Sequence, residues 1–242
     1  MDASDLELFD RSVRQATERH TGDALDAALA ALGWLDALAE DPNAAVSILF
    51  PAQGRATAVS AALDHVVATG LGLPPTETVA VVLPALGTAA APGIHVDGRL
   101  SIRGVGTPAL RCADRVVVAA TRGGADPPVV VTVPVAELSL RAVTGIDPDF
   151  GLLEVAADAV PCAVEGEAAE RWESAVTLAQ VALSHEILGA GRTMLELARQ
   201  HALDRIQYGR PIGRFQAVRH RLADSLVAIE AADAVVTAAR DA

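Results

Sequence analysis

Residues 204–224 read DRIQYGRPIGRFQAVRHRLAD, and what flanks them decides the fold. Upstream, Trp172, Val176, Ala179, Leu183, Ile187, Ala190, Met194 and Leu197 recur every three or four positions. That spacing predicts one helix of roughly 35 residues, about 50 Å long at 1.5 Å per residue. Downstream, Val218, Leu222, Leu226 and Ile229 mark the buried face of a second helix, from about Phe215 to Ala239. The quoted stretch is therefore the connection within a long antiparallel helix pair. Gly189 and Gly191 lie inside the first helix, where glycine weakens helical structure. Either the backbone is closely approached there or the glycines are simply tolerated.

The connection gathers Arg205, Arg210, Arg214, Arg219 and Arg221 in a chain of formal net charge −12. On charge alone a solvated turn is the favoured reading. A nucleic-acid surface would need a wider basic face, and the chain has the wrong overall sign. A third reading is an anion site. Arg205 ends one helix and the next begins near Ile212, so unpaired N–H groups and a partial positive charge lie close by. Arginine adds a planar fork suited to phosphate oxygens. Gly209 and Gly213 permit close backbone approach to a ligand. Tyr208, the only tyrosine, can stack on a planar ring or hydrogen-bond.

Residues 4 to about 72 are expected to be helical. Leu6, Phe9, Val13 and Ala16 share one face, and a second helix starts at Thr21 or Asp23 and breaks near Gly33. A third segment, about 55 to 70, carries Val59, Leu63 and Val66 and ends at Gly70. The prolines at 74 and 75 stop helical structure. From 76 to about 164 the texture changes. TVAVVLP, RLSIRG, ADRVVVAAT, PPVVVTVPV, LSLRAV and GLLEVAAD are short, valine-rich and bounded by Gly, Pro and Asp. They predict an antiparallel sheet or barrel of about six to eight strands rather than βαβ units. VDGRL at 96–100 is a hairpin signal.

Composition bounds the function. Hydrophobic residues make up 51% and aromatics only 3%, so the core must be built from Ala, Val and Leu. All 19 cations are arginine, which fits a GC-rich bacterial genome. MDASDLELFD lacks the features of a signal peptide, and no apolar run spans a membrane. Cys112 and Cys162 have no metal-ligand spacing. The expected setting is bacterial cytoplasm, with no metal, no nucleic acid and no membrane partner.

Arg205, Tyr208, Gly209, Ile212, Phe215 and Gln216, followed by Leu222-Ala223-Asp224, match a fixed-spacing pattern. It resembles the C-terminal helical domain of the acyl-CoA dehydrogenase family. LGW at 32–34, ILFPAQGRA at 48–56 and ADRVVVAAT at 113–121 resemble that family's N-terminal helices and middle β-domain. The resemblance implies an α+β multi-domain chain: an N-terminal helical domain (1–74), a middle antiparallel β-domain (75–165) and a C-terminal helical-bundle domain (166–242), shortened relative to the family.

The family uses FAD to desaturate an acyl-CoA thioester between Cα and Cβ. The implied cofactor-binding residues are Arg205 at the pyrophosphate, and Gln207, Tyr208 and Gln216 along the adenosine, with Gly209 leaving room. In the family this loop reaches across a subunit interface to a neighbour's FAD. The family's T-E-P-x-x-G-S-D segment is here Val82-Leu83-Pro84-Ala85-Leu86-Gly87-Thr88-Ala89. Thr88 stands in for the serine, while the first threonine and both acids are gone. The flavin-packing segment, RGVGTPALRCAD, has no aromatic residue. One family position for the catalytic base falls near Ala179, so no catalytic residue is assigned; Glu186 reads as a surface or packing residue.

The resemblance thus implies a homo- or hetero-oligomer with another acyl-CoA dehydrogenase subunit: either this is a truncated chain or, the favoured reading, a subunit of a heteromeric bacterial acyl-CoA dehydrogenase of actinobacterial lipid or steroid side-chain breakdown. A partner subunit would supply the base. The alternative is a non-enzymatic helical assembly or binding protein that keeps the fold without FAD.

Overall fold

The computed structural model describes residues 3–74, 76, 78–122, 128–145, 150–167 and 169–240; Pro75, the end of the expected helical stop, lies outside them. The chain divides into two compact units, each assembled from segments distant in sequence. One holds residues 1–20, 43–58 and 181–242, and the other 21–42 and 59–180.

The second unit is built on a seven-stranded sheet: β1 (Gly93–Val96), β2 (Arg99–Gly106), β3 (Arg115–Thr121), β4 (Val129–Pro134), β5 (Ser139–Ala142), β6 (Leu153–Pro161) and β7 (Ala163–Glu167). Their order is β5-β6-β2-β1-β3-β4-β7, and the neighbours are antiparallel except β1 and β3, which run parallel. The Asp97-Gly98 turn between β1 and β2 has φ of 49° and 74°. Two successive positive values are what a type I′ hairpin requires.

TVAVVLP does not form a full strand. Val81 bridges Val117 and Leu83 bridges Val105, so it fills the gap between β2 and β3 where short β1 has ended. Alternation decides the two faces. Leu100, Ile102, Val116, Val118, Val131 and Val133 enter one buried cluster. Val81, Ala119 and Val130 point the other way, onto Val67 and Leu71.

In the same unit α2 (Asp23–Ala31) follows Gly22, and Gly33, in the left-handed region at φ 78°, opens α3 (Trp34–Glu40). Thr21 does not cap α2; its hydroxyl accepts the Val59 N–H at 3.0 Å. Helix α5 (Ala62–Gly70) packs on the first turns of a 36-residue helix, α6 (Ala169–Asp204). A Cβ on Gly70 would lie 2.8 Å from the Ala175 methyl, so only glycine lets these backbones meet.

The first unit contains α1 (Ala3–Arg19), most of α4 (Pro42–Ala56), α6 beyond Val181, and α7 (Gln216–Arg240). The helix expected over 55–70 is in fact the end of α4 and the whole of α5. Thr57, at φ 53°, stops α4, with the Ala58 N–H reaching the Gln53 carbonyl at 3.0 Å. This is a Schellman-type stop with threonine in the place glycine usually takes, so no sequence signal announced it.

Gly54 and Gly189 explain how α4 crosses α6. A Cβ on Gly189 would overlap the Pro51 carbonyl oxygen and lie 2.9 Å from its carbon. A Cβ on Gly54 would lie 2.8 Å from the Glu186 carbonyl carbon. Gly191 is free of this constraint, since its nearest neighbour would be Ile229 at 3.7 Å.

The expected stripe on α6 divides. Trp172 is buried and Val176 and Ala179 half-buried, but further along Ala182, His185, Leu188 and Gly189 turn inward. Leu183, Ile187, Met194 and Leu197 are exposed instead, Ile187 by 72%. On α7 no described residue is buried; Val218, Leu222 and Ile229 are half-buried and Val227 and Val235 open. Arg192 ties α7 to α6 through Glu230 at 3.4 Å and Asp233 at 3.1 Å.

Candidate functional site

The 205–216 connection is a two-strand turn. The Arg205 N–H closes the last turn of α6 on His201 at 2.9 Å, and the Arg205 carbonyl accepts the Ile212 N–H at 2.8 Å. Between them β8 (Ile206–Gln207) pairs antiparallel with β9 (Arg210–Pro211). Tyr208 and Gly209 form the tip at φ 51° and 72°. This is again a type I′ turn, and it fixes which way Gln207 and Arg210 point.

Tyr208 is the unusual residue. Glycine, asparagine and aspartate adopt a positive φ readily, and a bulky aromatic does not. Here the ring is also 92% exposed, so burial does not offset the strain. Its one ring neighbour is Phe215, edge-on at 6.2 Å, and the Arg210 guanidinium lies over the same Phe215 ring at 4.5 Å. Phe215 is the platform that seats both side chains. Its spacing matches the family motif, but its ring contacts are a product of the turn and were not legible beforehand.

Arg205, Arg210, Arg214, Arg219 and Arg221 share a further property: none of them has a carboxylate partner among the described residues. Arg103, Arg141, Arg192 and Arg199 do, with Asp158, Glu154, Glu230 and Glu196. In a chain of net charge −12, a cluster of unpaired guanidiniums is a local positive potential open to an anion. Gln216, first in α7, is exposed, with its Nε2 3.4 Å from His220 Nε2.

Gly213 corrects the sequence reading. Its missing Cβ would stand 3.0 Å from the Ala202 carbonyl oxygen, so this glycine serves packing against α6 rather than approach to a ligand. The structure brings Arg205, Gln207, Tyr208, Gly209 and Gln216 onto one connection in the first unit. Thr88 belongs to the second unit, where its hydroxyl donates to the Ala85 carbonyl at 3.0 Å. It lines a surface hollow of about 420 Å³ with Arg103 and Asp158.

Two carboxyls are displaced toward neutrality by burial. Glu186 on α6 is pushed up to about 7. Asp64 is fully buried and also pushed up to about 7, partly offset by its bonds to Thr107 and Val81. Asp64 Oδ1 accepts the Val81 N–H at 2.8 Å and Oδ2 accepts the Thr107 hydroxyl at 2.6 Å. It is a strut joining α5 to the 80–83 segment and to the 3-10 turn Pro108–Arg111. Sequence reasoning passed over it, although an Asp-His pair inside the apolar run of α5 was a visible signal. Among the described residues no three His, Cys, Asp or Glu side chains group as a metal site.

Residues 171–242 match the family model described as acyl-CoA dehydrogenase, C-terminal domain. Acyl-CoA dehydrogenase IpdE2 of Mycobacterium tuberculosis is 50% identical over 58 residues, 24% of this chain and 18% of that protein. Acyl-CoA dehydrogenase FadE34 of the same organism is 36% identical over 107 residues, 44% of this chain and 15% of that one. The chain therefore matches less than a fifth of the length of either relative. Among solved structures, a variant of the Tcur3481-Tcur3483 steroid ACAD superposes with a TM-score of 0.78 at 23% identity, over 98% of this chain and 77% of that one. The ChsE4-ChsE5 complex from Mycobacterium tuberculosis gives 0.75 at 18%, over 99% and 78%. At these identities the likeness establishes the fold.

Proposed function

Because the chain belongs to the acyl-CoA dehydrogenase family, we propose that it is one subunit of a flavin-dependent acyl-CoA dehydrogenase. The reaction is α,β-desaturation of a fatty or steroid side-chain acyl-CoA thioester. In this reading the chain works as three segments, 1–74, 75–165 and 166–242, in the cytoplasm; no helix among the described residues is long and apolar enough to cross a membrane.

The observation that carries the proposal is the unpaired arginine cluster on a strained, exposed, motif-matched turn. Arg205 would hold the FAD pyrophosphate by charge-assisted hydrogen bonds. Tyr208, Gln207 and Gln216 would hold the adenosine portion, and Gly209 would leave the tip free of a side chain. When bound, the flavin accepts the β-hydrogen as hydride. The residues fit the adenosine–pyrophosphate half of the cofactor well. The isoalloxazine half is poorly served: Thr88 has its hydroxyl engaged by Ala85, and 82–89 contributes no acid or aromatic ring.

This division motivates a partner. Ala179 cannot abstract a proton, and Glu186 carries no hydrogen bond that would orient its carboxyl as a base. A second acyl-CoA dehydrogenase subunit supplies the base and the flavin-ring pocket, and this chain reaches its FAD with the arginine turn. The open apolar faces of α6 and α7 provide the contact. That the structurally similar ChsE4-ChsE5 is itself a complex supports such an assembly.

The test is flavin occupancy, by absorbance between about 350 and 500 nm, where flavins absorb, of the chain co-purified with its partner. Arg205→Ala and Gln216→Ala should each empty the site while the complex stays assembled. Full occupancy in both variants would overturn the clamp. A complex that remains colourless with excess FAD would instead favour the fold retained without cofactor.

A further inference from the structure

The turn that carries Arg205 and Gln207 also carries a guanidinium outside the motif positions. Strands β8 and β9 pair with Gln207 opposite Arg210 and Ile206 opposite Pro211. The Ile212 N–H bond to the Arg205 carbonyl, at 2.8 Å, continues that register by one more pair. Side chains alternate between the two faces of a ribbon, and directly opposed residues share a face. Arg205, Gln207, Arg210 and Ile212 therefore lie on one face, with Ile206 and Pro211 on the other. Arg205 and Arg210 are diagonal neighbours there, a relation that spans about 7–8 Å and stays within reach of long side chains.

Arg210 is seated rather than loose. Its guanidinium lies over the Phe215 ring, 4.5 Å from the centroid. Stacking covers one flat side of the fork and leaves its N–H edges open to an acceptor. The positive φ values of Tyr208 and Gly209 fix the backbone from which it projects. Arg210 is exposed and has no carboxylate partner among the described residues. Phe215 immediately precedes Gln216, so the seat adjoins a residue of the proposed site. The other unpaired arginines lie off the ribbon: Arg214 ends a 3-10 turn, and Arg219 and Arg221 belong to α7.

A pyrophosphate diester has two phosphates with one negative charge each, and an arginine fork suits one phosphate. We propose that Arg210 is a second anion-binding residue of the site, closing on one phosphate of the pyrophosphate while Arg205 holds the other. The inference rests on the flavin-clamp reading and adds a residue to it. Phe215 is then a positioning residue, which keeps the Arg210 fork in place beside Arg205.

The probes are ADP-ribose and AMP, added to the full chain. Both carry adenosine and about two negative charges near pH 7.5, but ADP-ribose has two phosphates and AMP one. With 3-fluorotyrosine at 208, the only tyrosine position, a single fluorine NMR signal reports binding. The parent should bind ADP-ribose at least about tenfold more tightly than AMP, and Arg210→Gln should remove that preference by weakening ADP-ribose about tenfold. Arg219→Gln removes the same charge from α7 and should cost less than about twofold. Phe215→Leu should lose about two- to fivefold and Phe215→Tyr should keep the parent affinity; an unchanged Phe215→Leu chain overturns the positioning role. A preference that survives Arg210→Gln overturns the assignment, and so does an equal loss in Arg219→Gln, which would mean diffuse attraction. Absence of saturable binding to either probe in the parent overturns it as well. If Arg205→Gln weakens ADP-ribose and Arg210→Gln does not, this inference fails and the clamp stands; if neither does, the clamp fails with it.

Discussion

Two glycines, two positions apart on α6, should respond to the same mutation with opposite sign. In a helix interior alanine is favoured over glycine by about 1 kcal/mol. At Gly191 nothing opposes that gain, because the added methyl would meet Ile229 at an ordinary 3.7 Å. Gly191→Ala should therefore stabilise by close to the full amount, raising the midpoint by about 2–4 °C for a chain of this size. At Gly189 the methyl would overlap the Pro51 carbonyl oxygen and approach its carbon to 2.9 Å. Both obstructing atoms are backbone, so no rotamer change relieves them, and α4 must move off α6. Overpacking of this kind costs about 3 kcal/mol, at the upper end of its usual range. Less the propensity gain, Gly189→Ala should lose about 2 kcal/mol, or roughly 4–8 °C. Urea melts followed by far-UV circular dichroism, with calorimetry alongside, read both. A Gly189→Ala chain as stable as the parent would refute the claim that backbone contact is what selects glycine there.

Asp64 predicts a pH dependence. Its folded value is raised, so the unfolded chain loses the proton first as pH rises, and this group's contribution to stability falls between about pH 4 and 7 and is flat above. Asp64→Asn should gain on the parent across that window by a few kcal/mol at most; a constant difference from pH 4 to 8 would contradict the burial argument. His65 works in the other direction: its folded value is lowered, so its contribution is complete above about pH 6.5 and falls as pH drops toward 4. The acid limb of the stability curve should therefore flatten in His65→Phe. Tyr208→Asn should relax the turn by up to about 1 kcal/mol, since asparagine tolerates positive φ, while weakening flavin retention in the assembled complex. A variant that lost stability would show that the Phe215 contact outweighs the strain.

How far the sequence could be read depended on which residues carried each feature. The long helices were legible because their periodicity runs for many turns, and the Asp97-Gly98 hairpin because the two residues that tolerate its dihedrals occupy it. The inward face of α6 was misjudged beyond Leu183, because bulk suggested burial whereas Ala182, His185, Leu188 and Gly189 are the residues that turn inward, Gly189 against Pro51 of α4. The stop at Thr57 was invisible because a residue that seldom holds a left-handed position does so there. Of the site, the arginine cluster was evident from charge. The Arg210–Phe215–Tyr208 arrangement was not, since it exists only once the turn has folded.

Helix α7 carries a consequence for the life of this chain in a cell. Most of its described residues are exposed and none is buried, so fraying there costs little and exchange with solvent should be quick. In the proposed assembly, chain made in excess over its partner subunit would be trimmed there first by housekeeping proteases, and its steady level would follow the partner's supply rather than its own rate of synthesis.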